Sequence, residues 1–317
     1  MLYPLKFKPI LEERIWGGHQ LGEKMGKKLP AGKLIGESWE ISSVPGNISV
    51  ISNGKLAGNT LEELIEVYMG DLVGDKIYNK FGLLFPLLIK LIDAQDALSI
   101  QVHPNDQLAK ERHNSYGKTE MWYIVDAEKD AQLCLGFNRP VTKEEYLKHV
   151  ADGTLADILA RVPVKQDDAY FIPAGAIHAI GKGIQQTSDI TYRVFDWNRV
   201  DKNGKSRELH TELAVDAINF APDQHYDITH QPEVNRSVNL VECPYFTTNV
   251  VEVKGELTRS YEALDSFVIY MVLDGDLTMK WKDGSEKATK GETVLVPACI
   301  DEMTLEGNAK LLEIFID

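Results

Sequence analysis

The chain has 317 residues, 44% hydrophobic and 26% charged, the balance of an ordinary soluble protein long enough for two domains. Its 48 acidic and 34 basic residues leave a formal charge of −14, which argues against nucleic acid or an anionic membrane surface as a partner. No apolar run approaches the roughly 20 residues that span a bilayer, and Met1 to Phe7 lacks the features of a signal peptide, so a cytoplasmic protein with no membrane partner is expected.

Most of the chain reads as short strands rich in β-branched and aromatic residues, separated by Gly, Pro and Asp turns. Residues 37–43 and 87–92 are the first clear strands, with Thr60-Leu61-Glu62-Glu63 between them as a capping box that opens a helix toward Tyr68. Next comes Leu98-Ser99-Ile100-Gln101-Val102-His103-Pro104. Alternation puts Ser99, Gln101 and His103 on one face of a strand that Pro104 ends. Three polar side chains in register on a buried strand cost stability unless something binds them. Gly117 to Ile124 repeats the device, with Lys118 and Glu120 sharing a face. Thr142-Lys143-Glu144-Glu145 is a second capping box, and Phe171 to His178 brings a second histidine just past a Pro-Ala-Gly turn. Residues 122–125 and 185–197 read as strands, 211–220 as a helix stopped ahead of Pro222, and 223–239 as a polar connection. Strands then follow at 247–253, 266–273, 277–281, 293–296 and 311–316.

Two imidazoles, one carboxylate and one amide from separate strands make a plausible tetrahedral zinc site, so a metalloenzyme is expected. An acidic protein that binds an anionic substrate must gather cations locally, which gives weight to lysines and arginines near these residues. A weak repeat relates the two halves. Asp168 to Ala174 resembles Gly291 to Ala298, but only the first copy continues to a histidine, which suggests two related β-barrels, one with a metal and one without. Cys134, Cys243 and Cys299 are odd in number and widely spaced, as buried free thiols of a reducing compartment would be.

These residues, in this order, resemble the short bacterial form of the type I mannose-6-phosphate isomerases. The likeness runs through Arg14-Ile15-Trp16-Gly17-Gly18, Gly36-Glu37-Ser38-Trp39-Glu40, Ser99 to Pro104, Gly117 to Tyr123, Pro173 to His178 and Ser188 to Arg193. It implies a mainly β fold of two cupin (jelly-roll) barrels with short helical insertions at about 60–80 and 142–160. The catalytic barrel would occupy residues 1–230 and a metal-free cupin-like barrel residues 231–317. It further implies that Gln101, His103, Glu120 and His178 bind one Zn²⁺, that Arg193 sits at the catalytic centre, and that Ser99, Lys90 and Lys118 belong to the pocket. The substrate would be a small sugar phosphate, mannose 6-phosphate interconverting with fructose 6-phosphate. One departure stands out. Relatives carry more residues between the equivalents of His178 and Arg193, with a glutamate just before Ile-Gln-Gln, where this chain has Gly183.

Each residue also has a plainer reading. Either histidine alone could be a core histidine satisfied by backbone, and Gln101 could bond neighbouring strands. Lys118 could be only a partner of Glu120, and Arg193 a barrel-end arginine paired with Asp189. Trp16, Trp39 and Trp122 read as core, although Trp16 is also expected at the sugar. His113, His149, His210, His225 and His230 read as structural or surface, and the Lys24, Lys27, Lys28 loop as a solvated turn. With the usual glutamate missing, the proton-transferring base would be a zinc-bound hydroxide, Glu40 or neutral Lys118. Two other functions fit the same residues: an Fe(II) cupin oxygenase, and a catalytically impaired cupin that only binds sugar phosphate. The sequence sets no oligomeric state.

Overall fold

The structure is a computed structural model and describes residues 2–179, 184–186, 190–200, 204–221 and 224–317, with the backbone alone for 184–186. It is mainly β, with three principal antiparallel sheets and short helices at their margins. Two of the sheets build the first half. One runs in the order Asp227–Ile228, Ala169–Ile172, Glu120–Tyr123, Ile184–Gln186, Leu87–Ile92, Ile35–Ile41, Ile10–Gly18. The other runs Leu159–Pro163, Gln132–Phe137, His178–Ala179, Ile100–Val102, Tyr192–Phe195. Between Leu87 and Phe195 the chain passes repeatedly from one sheet to the other, so side chains facing inward from both meet in one interior.

The third sheet carries the second half. Two 14-residue strands, Thr247–Ser260 and Glu302–Phe315, pair along their whole length, and Val268–Trp281 lies on the other side of Glu302–Phe315. Its interior is apolar: Val251, Val272, Met279, Val294, Met303 and Leu311 are all buried in one cluster. The repeat expected at Thr293–Val296 is a strand, followed by Pro297, Ala298 and Cys299 rather than a histidine. The stretches expected as two strands at 266–273 and 277–281 form one. Asp274-Gly275-Asp276 is not a turn: the register against Glu302–Phe315 shifts between Val272 and Asp274, and these three residues pair with Lys310, Ala309 and Asn308. Gly275, just after the shift, has φ +76°, and a Cβ there would lie 2.0 Å from the Asn308 carbonyl oxygen, so this position needs glycine.

The boundary expected near residue 230 lies between Asp227–Ile228, in the first half's sheet, and Ser237–Glu242, in the third. Leu5–Lys6 crosses it, pairing with Thr293–Val296, and one apolar core runs from Leu5 and Phe7 through Ile65, Ile89 and Met121 to Ile269 and Leu312. The helices follow their caps. Thr60 and Glu63 make the reciprocal capping box of Leu61–Tyr68, and the Thr142 side chain accepts from the Glu145 N–H to start Lys143–Ala151. Asp75–Phe81 falls in the helical insertion expected at about 60–80, whereas Asp106–His113 is a helix that the sequence does not announce. Asp106–His113 is almost wholly polar, buries only Ala109, and has no apolar stripe. The strand expected over 185–197 is two, Ile184–Gln186 and Tyr192–Phe195, in different sheets. Cys134 and Cys243 are half-buried, but Cys299 is exposed, contrary to expectation, and all three are free.

Candidate metal centre

Backbone hydrogen bonds bring the three ligand-bearing segments together. The His103 carbonyl accepts from the Gly175 N–H at 2.9 Å, and the Pro104 carbonyl from the Lys118 N–H at 3.1 Å. Gly175 has φ +87°, and a Cβ there would meet the Ala217 carbonyl oxygen at 2.9 Å, so the turn into His178 tolerates little else. Across the second sheet His178 lies opposite Gln101, and Gln101 opposite Arg193. Residues opposite one another in antiparallel pairs share a face. Gln101 is therefore flanked by a histidine on one side and a guanidinium on the other.

His103, Glu120 and His178 are fully buried, and their ligand atoms all lie within 4.8 Å of one another. His103 Nε2 is 3.2 Å from Glu120 Oε1, and His178 Nε2 is 3.8 Å from Glu120 Oε2. The other ring nitrogens fix the tautomers. His103 Nδ1 is 3.0 Å from the Ile190 carbonyl and His178 Nδ1 is 2.9 Å from the Ala176 carbonyl. A carbonyl only accepts, so each Nδ1 carries the proton and each Nε2 presents a lone pair. Burial, with the Lys118 cation beside it, pushes the His103 pKa down to about 3, which keeps the ring neutral. Burial alone would raise the Glu120 pKa, but the Lys118 charge and His103 outweigh it and hold the carboxyl well below its usual range. Lys118 Nζ stands 3.3 Å from Glu120 Oε1, and Trp122 Nε1 donates to Glu120 Oε2 at 3.0 Å.

The result is an arrangement that is costly as it stands. His103 Nε2, His178 Nε2 and Glu120 Oε1 are buried acceptors without a hydrogen bond. Two ligands bound at 2.0–2.1 Å to one tetrahedral zinc are about 3.3–3.5 Å apart, close to the separations found here. The donor set, its tautomers and its orphaned lone pairs fit a divalent cation. Among the described residues it is the single group of three or more His, Cys, Asp or Glu side chains so placed.

Beside it opens a cavity of about 520 Å³, lined among others by Trp16, Lys90, Ser99, Gln101, Lys118 and Arg193. The structure thus brings nine of the ten expected site residues to one place: these six together with His103, Glu120 and His178. It does not bring Glu40. Strand alternation puts Glu37 and Trp39 toward the cavity and Ser38 and Glu40 on the opposite face, where Glu40 Oε1 accepts from Ser38 Oγ at 2.6 Å and Oε2 meets Lys27 Nζ at 2.6 Å. The same contact corrects the reading of Lys27 as solvated, since both side chains of that pair are buried. Burial raises the Glu40 pKa, and Lys27 opposes the rise. Asp189, the alternative partner for Arg193, and Gly183 lie outside the described residues. Among the described residues Arg193 donates through Nη1 to the Glu208 carbonyl at 3.0 Å, and its Nε is buried without a partner.

Sequence reasoning misses Glu37, although it stands within the Gly36 to Glu40 segment and shares the face of Trp39. It accepts from Trp39 Nε1 at 2.6 Å and Arg14 Nε at 3.2 Å, and lies 3.5 Å from Lys90 Nζ. Burial would raise its pKa, but Lys90 and Arg14 override that and bring it down to about 2. The folded state thus holds this proton more weakly than the unfolded chain, whose glutamates titrate near 4.3. Its stabilisation is full above about pH 5 and lost as pH falls toward 2, a pH-dependent part on the order of 3 kcal/mol. In urea titrations the stability difference between wild type and Glu37→Gln is expected to shrink steadily from pH 5 to pH 2. A difference independent of pH would refute this assignment. Arg199 and Arg207, also at the cavity, are missed because nothing in their spacing ties them to the metal residues. The structure binds Arg207 to Asp196 through two nitrogens, Nε at 2.7 Å and Nη2.

Comparisons with known proteins agree with this layout. Residues 4–134 match the family described as phosphomannose isomerase type I, catalytic domain, and residues 236–316 match the mannose-6-phosphate isomerase cupin domain. The chain is 38% identical to mannose-6-phosphate isomerase ManA of Bacillus subtilis over 98% of both chains. It is 33% identical to mannose-6-phosphate isomerase of Streptococcus mutans, again over 98% of each. The crystal structure of mannose 6-phosphate isomerase from Bacillus subtilis superposes with a TM-score of 0.88 over 99% of both chains, at 33% identity. The chain belongs to the type I mannose-6-phosphate isomerase family.

Proposed function

We propose that the protein interconverts mannose 6-phosphate and fructose 6-phosphate with one zinc ion per chain, through an enediolate. The observation that carries the reading is the juxtaposition of a buried His103–Glu120–His178 cation site with a cavity rich in lysine and arginine. His103, Glu120 and His178, with Gln101 as fourth ligand, would hold the metal. When bound it supplies a Lewis acid for the sugar's carbonyl and hydroxyl oxygens.

The chain's own residues supply the rest. Lys90 and Ser99 place the phosphorylated end of the sugar, and Trp16 forms an apolar wall. Arg193, whose Nε has no partner among the described residues, donates to oxygen where negative charge develops between C1 and C2. Lys118, buried at the cavity and paired with Glu120, is placed to stabilise or relay the migrating proton. Glu40, turned to the other face of its strand, is not proposed for this task.

A coupled assay tests the reading. Protein supplied with mannose 6-phosphate is expected to form fructose 6-phosphate with no oxygen uptake. Oxygen consumption with stoichiometric iron would point to an oxygenase instead. Binding of the sugar phosphate without conversion would point to a binding protein.

A further inference from the structure

Tyr192–Phe195 is the edge strand of its sheet, paired on one side with Ile100–Val102, and the register slips between Arg193 and Phe195. An edge position followed by an irregularity leaves the aim of a long side chain weakly determined. The unpaired side of this strand is met at Arg193 by the segment Glu208-Leu209-His210. The Arg193 backbone N–H donates to His210 Nδ1 at 3.2 Å, the His210 N–H donates to the Arg193 carbonyl at 2.7 Å, and Arg193 Nη1 donates to the Glu208 carbonyl at 3.0 Å. Both backbone groups and one guanidinium nitrogen of Arg193 are therefore engaged by two residues of this segment, Glu208 and His210.

The clamp is itself anchored. His210 immediately precedes the Thr211–Ala217 helix, whose Ala214 and Val215 are buried. From the Asp106–His113 helix, Arg112 donates through Nη1 to the Leu213 carbonyl at 3.2 Å and pairs through Nη2 with Asp216 at 2.5 Å. The Asp106–His113 helix begins three residues after His103, so metal ligand and clamp are carried on connected elements.

We propose that His210 is a positioning residue for Arg193, its Nδ1 lone pair completing the backbone clamp that aims the guanidinium at the sugar. The proposal rests on the reading that Arg193 acts on the substrate. The bond requires an acceptor at the δ position of the side chain. Asparagine can place its Oδ1 there, glutamine carries its oxygen one atom too far, and alanine has none.

The test uses the zinc-loaded full chain and reads kcat, KM for mannose 6-phosphate and bound zinc in His210→Ala, His210→Asn, His210→Gln and Arg193→Ala. His210→Ala and His210→Gln are expected to lose kcat by about 10- to 100-fold, the effect of an ångström-scale misplacement, with bound zinc unchanged and KM moved by less than about threefold. His210→Asn is expected to recover most of the lost kcat. A wild-type kcat in His210→Ala, or equal losses in the Ala, Asn and Gln variants, would overturn the proposal. An active Arg193→Ala would instead overturn the reading on which it rests.

Discussion

Glu120→Gln is expected to yield a folded protein that binds little zinc and has almost no isomerase activity. Glutamine keeps the size of the side chain and an oxygen to accept the Trp122 Nε1 hydrogen bond, but it removes the sole anion from the proposed ligand set, otherwise two neutral imidazoles and an amide. The loss of zinc affinity should exceed the roughly 10- to 100-fold that follows removal of a mere supporting contact. The substitution also leaves Lys118 buried without the carboxylate 3.3 Å away, which costs about 3–5 kcal/mol unless the ammonium gives up its proton. Ile100, Val102, Met121 and Trp122 keep their packing, so the barrel should still form, with a lowered melting temperature. Metal analysis alongside circular dichroism and the isomerase assay checks this. Full zinc occupancy in the variant would remove Glu120 from the ligand set.

Arg193→Lys should separate metal binding from turnover. Arg193 touches none of the three clustered ligand atoms, so zinc content is expected to stay at the wild-type level. In the proposed reading the guanidinium spans two tasks, since Nη1 reaches the Glu208 carbonyl while Nε, without a partner among the described residues, serves the substrate. An ammonium is a compact point charge and cannot reproduce that planar fork. A fall in kcat of about 100-fold or more is expected, in the range of losing one preorganised donor to a developing oxyanion. Wild-type turnover in this variant would mean that Arg193 does not act on the substrate.

Much of the fold and site is legible in the residues because strand alternation is a strict rule. It puts Ser99, Gln101 and His103 on one face and Lys118 with Glu120 on another, and the histidine missing after Pro297-Ala298 points to a second half without a metal. The same rule, applied one residue more carefully, selects Glu37 over Glu40, because Glu37 shares its parity with Trp39. What cannot be read depends on distant partners. Nothing local to Lys27 announces a buried carboxylate 13 positions away, and nothing near Arg193 announces a clamp arriving 17 residues later. Long strands are also cut short. Residues 302–310 alternate Met303, Leu305 and Ala309 with polar neighbours, and the strand expected at 311–316 in fact begins at Glu302. The Asp106–His113 helix escapes because capping by Asn105 and tertiary contacts, rather than an apolar stripe, hold it.

The link between the buried centre and catalysis is tested most directly by titrating zinc into chelated protein while following fructose 6-phosphate formed from mannose 6-phosphate. Activity is expected to be absent at the start, to rise in proportion to added zinc, and to level off at one equivalent per chain, with Glu120→Gln failing to respond over the same range. Full activity in the chelated protein before any metal is returned would contradict the account.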